Sequence, residues 1–173
     1  MGFITPNEYD DLRSLYTGQL QYLLSTENQI VDGLEVMIKH AQDQQLIQAF
    51  KTHQGETRTQ AQRLEEILKD LTGDADDKKD PICVALIGSG ANITRESSEG
   101  PVRDAGLLAT AQKIEHYEIA SYGAAREWAR ILGYDRHATL LETSLEEEKK
   151  TDQLLTSLSA QENRAAATAS ASR

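Results

Sequence analysis

A single cysteine, Cys83, stands in the 173 residues, so no internal disulfide can form and a reducing, cytoplasmic setting is expected. Aromatic residues make up only 5 % of the chain, and strands, which favour aromatic and β-branched side chains, are disfavoured by that scarcity. Only three prolines interrupt the chain, and no run approaches the ~20 apolar residues of a membrane-spanning helix. The opening MGFITPNEYDD lacks a basic segment followed by an apolar one, so it does not read as a secretory signal. Basic residues are outnumbered, 18 Lys and Arg against 28 Asp and Glu. The resulting net charge of −10 repels phosphate and argues against nucleic acid or an anionic membrane as partner. What is plentiful is Ala, Leu, Glu and Gln, the residues of helices. The expectation is an all-α protein with one domain over residues 1–160 and a flexible Ala/Ser-rich tail over 161–173.

Four long helices follow from the periodicity. Thr5-Pro6-Asn7-Glu8 reads as a helix start, with Thr as cap and Pro at the first helical position. The first helix is expected from about Pro6 to Ala41. A second runs from Asp43 to Thr72, with Gly73 as its closing residue. Asp80-Pro81 starts a shorter helix to about Thr94, with Ile82, Ala85, Leu86, Gly90 and Ile93 on its packing side. It is too short and glycine-rich for a main bundle member and reads as part of a long crossover. Pro101 opens the third long helix, which ends near Leu132 before Gly133. The fourth spans about Arg136 to Ser159.

Each long helix carries an apolar stripe that turns polar in its middle. On the first, Tyr16, Leu20, Leu23, Ile30, Leu34 and Met37 share a face with Glu27. On the second, Leu46, Phe50, Leu64 and Ile67 flank His53, Thr57 and Gln60, with Glu56 at the edge. On the third, Leu108, Ala111, Tyr122, Ala125 and Ala129 enclose Glu115 and Glu118. The fourth reads Leu141, Leu145, Glu148, Asp152, Leu155. A buried carboxylate costs several kcal/mol unless it is paired. Two of them one turn apart also repel each other. Folded antiparallel, the four interruptions meet in one layer, and an oxygen-rich layer with one imidazole suits a pair of cations such as iron or manganese. The plainer alternative for Glu148 is a solvated face, because it lies in the charged run Glu146–Lys150. For His53 the plainer alternative is a packed core histidine.

VRDAGLLATAQKIEHYEIASYG (Val102–Gly123), LLETSLEEEKKTD (Leu140–Asp152), AFKTHQGET (Ala49–Thr57) and Arg63-Leu64-Glu65 resemble the signatures of the YciE/YciF ferritin-like stress proteins. The resemblance runs through nearly all of Leu12–Leu158 and includes the short helix around Cys83. It implies an antiparallel four-helix bundle with a di-metal centre, an additional short helix, a homodimer and an association with stress and oxidative conditions. Ferritin-like enzymes usually carry Glu-x-x-His on helices two and four. Here Glu56 is followed by Thr59 and Glu148 by Thr151, so those histidines are missing and His53 or Asp152 would stand in.

The expected function is a di-iron or dimanganese stress protein that oxidises Fe(II) while consuming peroxide or dioxygen. Its ligands would be drawn from Glu27, His53, Glu56, Glu115, Glu118, Glu148 and Asp152. Tyr122, one turn past Glu118, could donate a hydrogen bond or an electron, or simply fill the core. No CxxC site is present, so electrons must come from the metal or a separate donor. The alternative is a non-catalytic metal-holding or structural protein acting as a dimer or assembly component.

Overall fold

A computed structural model describes residues 9–171, with side chains to residue 169. Five helices and no strand occur among them: α1 Leu12–His40, α2 Gln44–Thr72, α3 Pro81–Glu96, α4 Pro101–Ile131 and α5 Asp135–Ala171. The four long ones form an antiparallel bundle, and α3 lies in the crossover between α2 and α4. The sense of the packing follows from specific pairs. Asp104 at the start of α4 accepts hydrogen bonds from the backbone N–H of Gln42 (3.0 Å) and Asp43 (2.7 Å), beyond the end of α1. At the other end His137 Nε2 of α5 lies 2.8 Å from Asp70 Oδ2 near the end of α2. Its Nδ1 lies 3.3 Å from the hydroxyl of Tyr16, near the start of α1.

The helix boundaries have local causes. The expected start at Thr5-Pro6 lies outside the described residues, and residues 9–11 are not helical. Asp11 caps α1 instead. Its carboxylate accepts from Ser14 N–H while the Ser14 hydroxyl accepts from Asp11 N–H, a reciprocal box that ties off the first turn. Gly73 closes α2 with φ 91°, a left-handed conformation that glycine adopts without a Cβ clash. On α3 the buried face is Cys83 and Gly90, with Leu86, Ile87 and Ile93 partly buried, while Ile82 is 54 % exposed and Ala85 is exposed. The expected face was therefore rotated, because apolar residues lie all round this short helix and give its period no phase. The fourth long helix continues past Ser159 to Ala171, since Ala-rich sequence without Gly or Pro offers nothing to stop it. Glu162 on that extension is buried, and burial first, then Asp43 and Asp104 nearby, pushes its carboxyl above the usual range.

The hydrophobic core is divided. One cluster gathers Tyr16, Leu20, Leu23, Leu64, Ile67, Tyr122 and Leu141 among others. The second gathers Ile30, Leu34, Phe50, Cys83, Leu107, Leu108 and Leu155. Between them, at mid-height, lie the polar groups of the four long helices. The crossover is pinned at that height by Asp80, 2 % exposed. Its carboxylate caps α3 through Ile82 N–H (2.7 Å) and Cys83 N–H (3.2 Å), and accepts from Thr26 of α1 (3.0 Å) and from the Tyr117 hydroxyl of α4. One side chain thus ties three helices together. Asp80→Ala should lower stability in urea by about 3 kcal/mol, since it removes a cap and strands buried donors. Asp43→Ala removes only the α2 cap and should cost about 1 kcal/mol.

Candidate metal centre

Glu27, Glu115, Glu118 and Glu148 are all at most 1 % exposed, and His53 is 3 % exposed. His53 of α2, Glu115 and Glu118 of α4 and Glu148 of α5 each present a ligand atom, and these atoms lie within 4.8 Å of one another. The spacing on α4 explains its double contribution: residues three apart lie on one helical face, so both carboxylates enter the bundle. Glu148 enters rather than facing solvent with its charged neighbours, because it continues the Leu141–Leu145 stripe while Glu146 is exposed. His53 Nε2 lies 3.1 Å from Glu115 Oε1 and 3.9 Å from Glu148 Oε2, ion-pair distances that lack hydrogen-bond direction.

The remaining sequence-predicted residues surround this group. Glu27 of α1 accepts a hydrogen bond from the Tyr122 hydroxyl. Tyr122, wholly buried, therefore fills core and donates to the layer at once. Glu56 is 38 % exposed and stands 3.9 Å from the opposite nitrogen of His53, on the outer side of the imidazole. Asp152 is 19 % exposed and lies 3.5 Å from Nε2 of the exposed His116. Glu27, Glu56 and Asp152 are not among the four convergent residues.

Several partners hold the layer from behind. Gln60 donates through its amide to Glu148 Oε1 and to Glu147 Oε2 (3.1 Å). Arg63 grips Glu147 with both terminal nitrogens, at 2.5 and 2.9 Å. The Thr151 hydroxyl lies 3.4 Å from His53 Nδ1. Gln60 was visible in the sequence as a polar break on the α2 stripe. Arg63 and Glu147 both stand in segments that carry the family resemblance, but nothing in the sequence pairs them, because they are 84 residues apart.

The electrostatics are those of crowded buried acids. Burial pushes the Glu27 carboxyl up to about 8, against the pull of the Tyr122 hydrogen bond and of His53. Glu118 and Glu148 are also held well above the usual range by burial; Glu148 and Glu27 add to the rise at Glu118, while His53 opposes the rise at Glu148 and Glu115 adds to it. For His53, burial alone would lower the pKa, but Glu115, Glu56 and Glu148 outweigh it and raise the pKa well above the ordinary value. Polar atoms are left without hydrogen-bond partners here: both oxygens of Glu118 and one each of Glu27, Glu115 and Glu148. Buried polar atoms are nearly always satisfied. A group of convergent orphaned carboxylate oxygens beside an imidazole therefore fits cation binding.

Fold and layer together define a ferritin-like helical bundle whose buried group of one histidine and three carboxylates is compatible with a metal site. Residues 11–168 match the DUF892 family, described as a domain of unknown function, and the chain belongs to that family. It is 43 % identical over 138 residues to protein YciF of Escherichia coli (strain K12), covering 78 % of this chain and 81 % of that one. The crystal structure of the E. coli stress protein YciF matches with a TM-score of 0.86 at 33 % identity, covering 90 % of this chain and 99 % of that chain. YcfI of Rhodopseudomonas palustris, described as a candidate structural protein, matches with a TM-score of 0.84 at 32 % identity, over 89 % of this chain and 98 % of that chain.

A pH dependence follows for metal-free protein. Because the folded state holds the Glu27 proton more tightly than the unfolded chain, stability is fully present below the ordinary 4.5 and is lost as pH rises toward about 8. Glu118, held well above the usual range in its own right, adds to that decline, so Glu118→Gln should remove its share and raise the metal-free melting temperature by about 3 °C per kcal/mol of repulsion relieved. The same variant should bind less metal than wild type by elemental analysis.

Proposed function

We propose that the buried layer holds two divalent cations, iron or manganese, and that the protein is a stress protein oxidising Fe(II) with peroxide or dioxygen. The observation that carries this reading is Glu118, 0 % exposed with neither carboxylate oxygen bonded to anything. Charge supports the number of ions. Glu27, Glu115, Glu118 and Glu148 together carry −4 when ionised, which two divalent cations neutralise. His53, Glu115, Glu118 and Glu148 would hold the pair, with Glu27 from the fourth side. When bound, such a pair supplies the electrons that the oxidant takes up.

The chain's own residues keep the ligands oriented and the layer dry. Tyr122 fixes one oxygen of Glu27 by donating to it. Gln60 does the same for Glu148, and Arg63 with Glu147 backs Gln60. The apolar clusters on either side exclude water. Such surrounding hydrogen bonds orient ligands and tune the ion they hold. Glu56 and Asp152, both partly exposed, belong to the approach to the layer, where their charge would attract incoming cations. A homodimer in the cytoplasm belongs to the same proposal, and sedimentation of the purified protein tests the dimer.

A second reading keeps the metal but not the turnover. The absence of Glu-x-x-His favours it: Thr59 hydrogen-bonds its own helix through Gly55, and Thr151 touches His53 from behind. Neither offers an imidazole. Protein loaded anaerobically with Fe(II) and then given peroxide or dioxygen separates the two readings. Oxidation of about two Fe(II) per chain, lost in Glu115→Ala with Glu118→Ala, is the expected outcome. Bound iron that oxidises no faster than iron in buffer would favour the metal-holding reading.

A further inference from the structure

The helix that stands outside the bundle has a second consequence. Between α1, α3 and α4 lies a cavity of ≈ 80 Å³ whose floor is His53 and Glu115. Its walls include Ile30, Leu34, Ile87 and Ile114. Even the hydroxyl-bearing side chains turn apolar atoms inward. Thr110 donates its hydroxyl to Gly106 C=O (3.0 Å) and keeps its methyl toward Gly90, while Thr94 donates to Gly90 C=O (3.1 Å). Outward, the cavity reaches Val36, 46 % exposed, and the exposed Ala91.

Two glycines shape this space. A Cβ at Gly90 would sit 3.2 Å from the Thr110 methyl and 3.8 Å from Met37 Cε, so glycine lets α3 approach α1 and α4 closely. At Gly33 a Cβ would stand 3.5 Å from Ile87, an ordinary contact, so the position tolerates a side chain that would extend into the space.

We propose that this cavity is a binding and access site for a small apolar diatomic, dioxygen, leading to the His53–Glu115 side of the layer. The inference rests on the metal reading above. A cavity of ~150 Å³ lined by aliphatic side chains stays dry and takes up xenon or benzene. The present one is about half that size and is lined in the same way, which suits a diatomic gas. Hydrogen peroxide and hydrated cations carry hydrogen-bonding shells that these walls cannot replace. The acidic groups that would receive them, Glu56 and Asp152, do not line the cavity.

Xenon tests the site without any metal. Crystals of metal-free protein under xenon pressure should show xenon between Ile30, Leu34 and Ile114, and Gly33→Leu should abolish it. Absence of xenon there in the wild type overturns the proposal. Delivery is tested on Fe(II)-loaded protein. Gly33→Leu should slow oxidation by dioxygen about tenfold, ~1.4 kcal/mol of added barrier, while iron content and oxidation by peroxide stay at wild-type values. Gly88→Leu, on the exposed side of α3 with open space around it, should match wild type throughout. Equal slowing with both oxidants, or none with either, overturns the delivery role. Should the protein bind no iron, the metal reading and delivery fail together, and the xenon result alone decides whether the cavity is a gas site. Ala91→Phe at the exposed mouth replaces Gly33→Leu if that variant does not fold.

Discussion

Four carboxylates and one imidazole share a buried layer in which the acids cannot all ionise unless positive charge joins them. Everything else in the bundle is arranged around that constraint. Isolated, such a layer opposes folding by several kcal/mol for each uncompensated charge. The molecule offsets part of this with its own groups: Tyr122 donates to Glu27, Gln60 donates to Glu148, and His53 lies against Glu115. These partners leave five carboxylate oxygens of Glu27, Glu115, Glu118 and Glu148 unbonded. The remainder is the feature that points to cations.

Apolar packing makes the layer possible. The core is split into two clusters, one toward Tyr16 and Leu141, the other toward Phe50 and Leu155, and the polar groups occupy the gap between them. Each cluster draws residues from the long helices, so the height of every acid is set by packing several residues away. Asp80 adds a transverse tie, joining α1, α3 and α4 beside Glu27 and Glu118 in the chain. The crossover helix thus serves the site twice, as a brace and as the outer wall of an apolar cavity.

Much of this was legible in the chain because long helices report their phase repeatedly. Seven positions from Tyr16 to Met37 keep the α1 stripe in register, and all of them are buried, Glu27 included. The same holds for Leu108 to Ala129 on α4, which identifies Glu115 and Glu118 as inward. Glu56 lies at the edge of the α2 stripe and Asp152 on the α5 stripe, yet a rotation of a few tens of degrees moves such a side chain from layer to rim, and periodicity does not resolve that. On α3 sixteen residues carry apolar groups on every side, so Ile82 read as inward when Cys83 is. Partners from distant segments were illegible for a different reason. Tyr117 with Asp80 and Gln60 with Glu148 are meetings of residues 37 and 88 apart, created only when the bundle closes.

The central claim is that cations complete the buried layer. Crystals grown with Mn(II) and measured at the manganese absorption edge test it directly. Two anomalous peaks about 4 Å apart, enclosed by His53, Glu115, Glu118 and Glu148, are the expected result. Manganese found only at surface carboxylates, with the layer free of anomalous signal and its carboxyls protonated, would contradict it.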